Sequence, residues 1–294
     1  SILNIRKFLD IPPLGSHLPT EWGSPANVVL ISSFLSDIFR TITCMESPVL
    51  PKLQPKYISF DAYGTLVNFQ MSPPTRVVFA DRIGEDQMDE FLDDFEAYRG
   101  DEVLGAFKLY PQLVKDALKR ACARWEIEYK DSDGEEIMAV VPTWGPYPDV
   151  PDALAKLAEH YPLVILSNAS EDQIYSNVDK LGAPFHAVLT GEQAGAYKPQ
   201  FQAFEYMIGK LGCDRSEILH VSSSLYYDIM PVHHLRFTQK VYVNRGFEWV
   251  DNASIVSPFN YHEVSDLSGL PDLLGLLTIV FHQPLSTISR ILPI

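Results

Sequence analysis

The run YISFDAYGTLVNF, residues 57–69, carries Asp61 at the end of an apolar strand, where the chain breaks into Ala-Tyr-Gly-Thr. A carboxylate presented in that way can attack an electrophilic carbon or phosphorus and form an ester that water later cleaves. Later stretches supply the groups that such chemistry uses. PLVILSN (162–168) ends on Ser167 and Asn168, AYKPQ holds Lys198, and ILHVSSSLYYD runs through Ser222, Ser223 and Ser224 to Asp228. With Thr65, the set comprises an acid, hydroxyls, an amide, an ammonium and a second acid. Alone, an Asp just before a turn glycine is more often a turn cap, and Lys198 before Pro199 reads as a surface lysine. Their shared place at strand ends makes catalysis the better reading.

The elements that must position these groups alternate. YISFD, PLVILSN, AVLTG (187–191), ILHVSS (218–223) and KVYVNR (240–245) have strand length and character. Helices lie between them: PDALAKLAEH starts with Pro151 in its first turn, Ser170 and Gln173 have capping-box spacing, and Gly182 and Gly212 supply stops. Strands alternating with helices predict βαβ units in a doubly wound, mainly parallel α/β sheet, and such sheets bind ligands outside the carboxyl ends of their strands. One region breaks the alternation. After the first strand, about 90 residues read as helical, with apolar stripes at Met88, Phe91, Leu92, Phe95 and Tyr98 and at Val114, Ala117, Leu118, Ala121 and Trp125. The expected organisation is a core from 56–70 and 146–277 with an all-helical cap at 71–145. The acidic run Asp81–Glu102 reads as the cap's solvated face. Residues 1–55 form an extension, with Met45 resembling a natural start, and 278–294 form a tail.

Composition narrows the function. A net charge of -15 over 294 residues repels polyanions, which argues against nucleic acid or an anionic membrane as partner while leaving room for a small anionic substrate in a locally positive pocket. The apolar runs 26–39 and 273–281 are too short to span a bilayer. Three scattered cysteines suit neither a disulfide scaffold nor a zinc site, so the expected compartment is the cytoplasm. His233 and His234, adjacent on a helix, point about 100° apart and do not face one ion; they read as surface residues. Trp144 and the Tyr226–Tyr227 pair read as packing.

Taken in order, DAYGTL, LSN, YKP and VSSSLYYD resemble the motifs of the haloacid dehalogenase superfamily, and Tyr63 two residues after Asp61 is similar to its type II, L-2-haloacid, branch. The resemblance spans roughly 57–250. It implies a Rossmann-like core and makes Asp61 the nucleophile, Lys198 the cation that keeps it ionised, and Asp228, with Lys198, the group that handles the hydrolytic water. Thr65 joins the catalytic set, while Ser167, Asn168, Tyr63, Ser222, Ser224 and Arg99 are the substrate-binding residues. Phosphatases of the superfamily carry Asp where Tyr63 stands and bind magnesium. Here Asp61 and Asp228 alone make a poor site for a hard cation. No metal or other cofactor is therefore expected, magnesium entering only if the protein is a phosphatase. The chain departs from the branch in three places: Arg99 sits in a different context from the branch's cap arginine, Phe204 replaces a tyrosine, and Ser224 replaces an asparagine, with one extra residue before Asp228.

The reading that follows is a hydrolase that displaces halide from C2 of a short 2-haloacid through an ester on Asp61. Its alternatives are a magnesium-dependent phosphatase and a binding protein that has lost activity. A homodimer is compatible with the resemblance.

Overall fold

The structure is a computed structural model that describes residues 50, 52–246 and 259–276. The proposed start at Met45 and the tail 278–294 lie outside the described residues. Six parallel strands form one sheet: β1 (Tyr57–Phe60), β2 (Leu163–Ser167), β3 (Ala187–Thr190), β4 (Ile218–Ser222), β5 (Gln239–Val243) and β6 (His262–Val264), in the order β3-β2-β1-β4-β5-β6. β6 was not expected from the sequence. Its short run carries His262 and Glu263 and lacks the apolar signal of a buried strand.

The β1, β2 and β4 strands bury alternate residues on opposite faces, the two-residue period of a pleated strand. Ile58, Phe60, Leu163, Ile165, Leu219 and Val221 enter one core cluster, while Val164, Leu166 and Ile218 enter another with Phe204, Met207 and Leu211. Each such side chain contributes about 1.5–3 kcal/mol when fully buried. The chain joins this core earlier than expected: Leu53 is buried in it, and the Gln54 backbone N–H donates to Gln239 Oε1 at 2.6 Å. The fold therefore begins inside the stretch 1–55, at least by Leu53.

Between β1 and β2 lie α1 (Ser72–Phe79), α2 (Met88–Leu104), α3 (Tyr110–Arg124) and α4 (Asp131–Ala139), followed by α5 (Val150–Ala158). The stripes fall where the period placed them: Met88, Phe91, Leu92 and Phe95 of α2 and Val114, Ala117, Leu118 and Ala121 of α3 are buried. Phe79 and Phe91 meet at 4.8 Å between ring centroids, and Trp125 stands edge-on to Phe91 at 5.8 Å. α1 and α4 are joined by Arg82, whose guanidinium donates to both oxygens of buried Asp133 at 2.8 and 2.9 Å and to the Val78 and Glu128 carbonyls. The acidic run is more than a solvated face: Glu102 accepts from Lys108 and Arg120, and Asp94 accepts from Arg124 and Trp125.

One cap differs from expectation. Ahead of α6 (Glu171–Val178), the Ser170 hydroxyl bonds Gln173 Oε1 and takes no backbone N–H. The Glu192 carboxylate accepts from Glu171 N instead, at 2.9 Å. The reciprocal box belongs to Thr190 and Gln193, at the end of β3. α7 (Phe201–Leu211) ends on Gly212, which is left-handed at φ 59°.

Candidate active site

With β1 central and the strand order running outward on both sides, the crevice of the sheet opens at the carboxyl ends of β1 and its neighbours. Asp61 follows β1 directly, and its backbone N–H is tied to Val221 O at 3.1 Å. The following turn closes on the Ala62 carbonyl, which accepts from Leu66 and Val67, and it passes through Gly64 at φ 92°. That φ favours glycine, which explains the spacing of the Asp-x-x-Gly-Thr run. The turn brings Thr65 back so that its Oγ1 donates to Asp61 Oδ2 at 2.7 Å.

Lys198 is 1% exposed and spans the two acids, with Nζ at 2.7 Å from Asp61 Oδ1 and 2.8 Å from Asp228 Oδ1. Asn168 holds the Lys198 backbone at both ends, accepting from its N–H at 2.7 Å and donating to its carbonyl at 2.8 Å. Asn168 therefore contacts the cation's backbone and also lines the cavity.

Asp228 sits on a π-helical turn, Leu225–Ile229, between β4 and α8 (Met230–His234). The bonds Ile229 N to Ser224 O and Met230 N to Leu225 O skip five residues. This wide turn absorbs the extra residue noted in the sequence and still delivers Asp228 to Lys198. Single π turns of this kind gather at functional sites. Ser224 caps the turn, its Oγ accepting from Tyr227 N at 3.0 Å. Ser222, expected to bind substrate, does not line the cavity: it is fully buried and donates to Asp228 Oδ2 at 2.9 Å. Ser223 takes the outward place, with Oγ at 3.0 Å from Thr65 Oγ1.

His220 was not foreseen. In β4 it is in register with Ser59 of β1, and Ser59 Oγ lies 2.8 Å from its Nδ1. His220 Nε2, carrying a proton, donates to Asp228 Oδ1 at 2.8 Å, and Phe204 stands edge-on to the ring at 5.5 Å. The sequence signal was a histidine inside an otherwise apolar buried strand.

Burial is the largest influence on all three charges. It pushes the Asp61 carboxyl above its usual range; the nearby Asp228 charge adds to this, and the pull of Lys198 does not overcome them. Lys198 orients Asp61 and draws its pKa down, as a nearby cation should, while burial and Asp228 outweigh that pull. Burial also acts upward on Asp228, but Lys198 and the His220 hydrogen bond outweigh it and hold Asp228 below its usual value. Lys198 is raised by the two acids against its own desolvation. The first proton therefore goes to Asp61, and Asp228 stays ionised.

Asp61 faces a cavity of about 880 Å³ lined by groups from the sheet ends and the inserted helices. Arg99 of α2 lines it despite its altered context, with its guanidinium 5.1 Å from the Phe69 ring centre and 3.3 Å from Tyr110 OH. Ser167, at the end of β2, also lines the cavity, and its buried Oγ has no hydrogen-bond partner within the protein. The Tyr63 hydroxyl donates to Asn177 at 2.7 Å and its ring packs edge-on to Trp144, so it closes one wall. Tyr226 and Tyr227 line the cavity as well as packing on each other.

A divalent cation does not fit this donor set. Lys198 engages one oxygen of each acid, while Thr65 and Ser222 donate to the others. Among the described residues, no group of three or more His, Cys, Asp or Glu converges. His233 stacks on Phe259 at 4.4 Å and its Nδ1 lies 3.1 Å from the Phe259 carbonyl, away from the site. The Cys213 thiol is pushed up by burial, in keeping with an inert role. No helix among the described residues is long and apolar enough to cross a membrane.

A parallel sheet in this order, with a carboxylate–ammonium–carboxylate bridge at its switch point, defines a doubly wound α/β protein with its candidate site at the strand ends. Residues 55–232, more than half of the chain, match the family model of haloacid dehalogenase-like hydrolases. The chain belongs to that family. It is 28% identical over 176 residues to (S)-2-haloacid dehalogenase 2 of Pseudomonas sp. (strain CBS-3), an alignment covering 59% of this chain and 75% of that protein. Among solved structures it is similar in fold to the L-2-haloacid dehalogenase of Xanthobacter autotrophicus with chloropropionic acid covalently bound (20% identity, TM-score 0.61, 76% of this chain and 100% of that one). It is also similar in fold to the HAD-hydrolase YfnB of Bacillus subtilis bound to magnesium (16% identity, TM-score 0.64, the same coverage).

Proposed function

We propose that the protein is a metal-independent 2-haloacid dehalogenase in which Asp61 is the nucleophile and the inserted helices act as a cap. The observation that carries this reading is the Asp61–Lys198–Asp228 bridge, open to the cavity at Asp61 and backed by Tyr63 where phosphatases carry a second acid. A carboxylate oxygen of Asp61 attacks C2 of the bound acid, the carbon–halogen bond breaks, and the halide leaves with the bonding electrons. Arg99 and Ser167, both of which line the cavity, would receive the anionic groups of substrate and halide. Water then adds to the Asp61 ester carbonyl. Asp228 accepts its proton, and collapse of the adduct restores the Asp61 carboxylate and releases the 2-hydroxyacid. The balance is haloacid plus water to hydroxyacid, halide and one proton. His220 and Ser222 act through Asp228 as positioning residues.

Purified protein should release halide from 2-haloalkanoates with excess chelator present and should lose that activity in Asp61→Asn. Magnesium-dependent release of phosphate from an aryl phosphate, with no halide from any 2-haloacid, would favour the phosphatase reading. Silence in both assays would favour the binding protein.

A further inference from the structure

We propose that the substrate carries an aromatic group on its C2 substituent, in place of the methyl or hydrogen of the shortest haloacids. The proposal rests on the dehalogenase reading and extends it. Pockets of roughly 300–1,000 Å³ bury ligands of drug size, and the cavity over Asp61 is about 880 Å³. A 2-halopropionate has about six non-hydrogen atoms, far below what a pocket of that class encloses; it would leave most of the space to water.

The distribution of groups says what fills the remainder. The unpartnered Ser167 Oγ lies with Asp61 among the cavity residues that follow β1 and β2, where a carboxylate and the reacting carbon would sit. Aromatic residues line the same cavity from separate segments, among polar ones such as Gln70 and Glu96: Phe69 after β1, Tyr110 at the start of α3, and Tyr226 and Tyr227 on the π turn. Tyr226 and Tyr227 meet at 5.2 Å and 77°, so an edge-to-face arrangement already exists that a further ring can join. The residue that widens this turn lies in the segment bearing both tyrosines. Gly100 of α2 supports the same wall, since a Cβ there would come within 3.3 Å of Tyr227 OH. Rings contributed from several segments are what a benzyl-type substituent packs against.

The test pairs substrates that differ only in that substituent. Halide release from 2-bromo-3-phenylpropionate should show kcat/KM at least tenfold above that of 2-bromopropionate; an equal or lower value would overturn the proposal. Calorimetric binding of the halogen-free acids to Asp61→Asn provides the second arm, with 3-phenylpropionate expected at least tenfold tighter than propionate. Equal binding also overturns it. Tight binding of the phenyl acid with halide released from neither substrate keeps the cavity assignment and rejects the dehalogenase chemistry beneath it.

Discussion

At the scale of single residues, the site is an unequal pair of acids sharing one ammonium. Asp61 takes up its proton first because burial and Asp228 raise it, while Lys198 and His220 hold Asp228 ionised. A folded-state pKa above the unfolded value means that the native state binds the proton more readily. Stability is then lost as pH rises from the usual carboxylate range through the raised Asp61 value. Asp61→Asn should accordingly flatten the fall of Tm as pH rises through the raised Asp61 value, as scanning calorimetry across pH would read. His220→Phe keeps the ring volume and removes the donor to Asp228. It should lower kcat with KM little changed, by less than the roughly 10²–10⁴ that a positioned base supplies. Asp228 should then titrate higher, moving upward the acid limb of ester hydrolysis, the step in which Asp61 is esterified and cannot titrate; an unmoved limb would leave His220 as core packing alone.

At the scale of elements, what could be read from the chain was whatever follows a period or a turn rule. The α2 and α3 stripes, the strand ends and the Asp61-to-Thr65 turn all follow from local spacing, and each is where the sequence placed it. What stayed hidden depends on register between distant strands. His220 meets Ser59 only because β4 lies beside β1. The Ser170 box failed because its hydroxyl donates to the Gln173 side chain and so accepts no backbone N–H. The π turn was legible as an extra residue, although its geometry was not. Within the insertion, Arg82 and Asp133 carry a prediction. Asp133 is 3% exposed, and removing one partner of a buried pair typically costs about 3–5 kcal/mol. Arg82→Met should show a loss of that order in urea unfolding, and a loss below about 1 kcal/mol, the value of a surface pair, would place the ion pair outside the packing of α1 on α4.

At the scale of the whole molecule, the parallel sheet gathers residues as far apart as Asp61 and Asp228 at one end, and the helices inserted after β1 bring Arg99 and Tyr110 to the same cavity. The overall negative charge of -15 leaves recognition of an anion to such local cations. The central claim is that Asp61 forms the bond to carbon and that water attacks Asp61, not the substrate. A single turnover of excess enzyme with a 2-haloacid in oxygen-18 water decides it, with the peptide bearing Asp61 and the hydroxyacid product each read by mass spectrometry. One labelled oxygen in Asp61 and none in the product is the predicted result. Label in the product hydroxyl, with Asp61 unlabelled, would contradict the account.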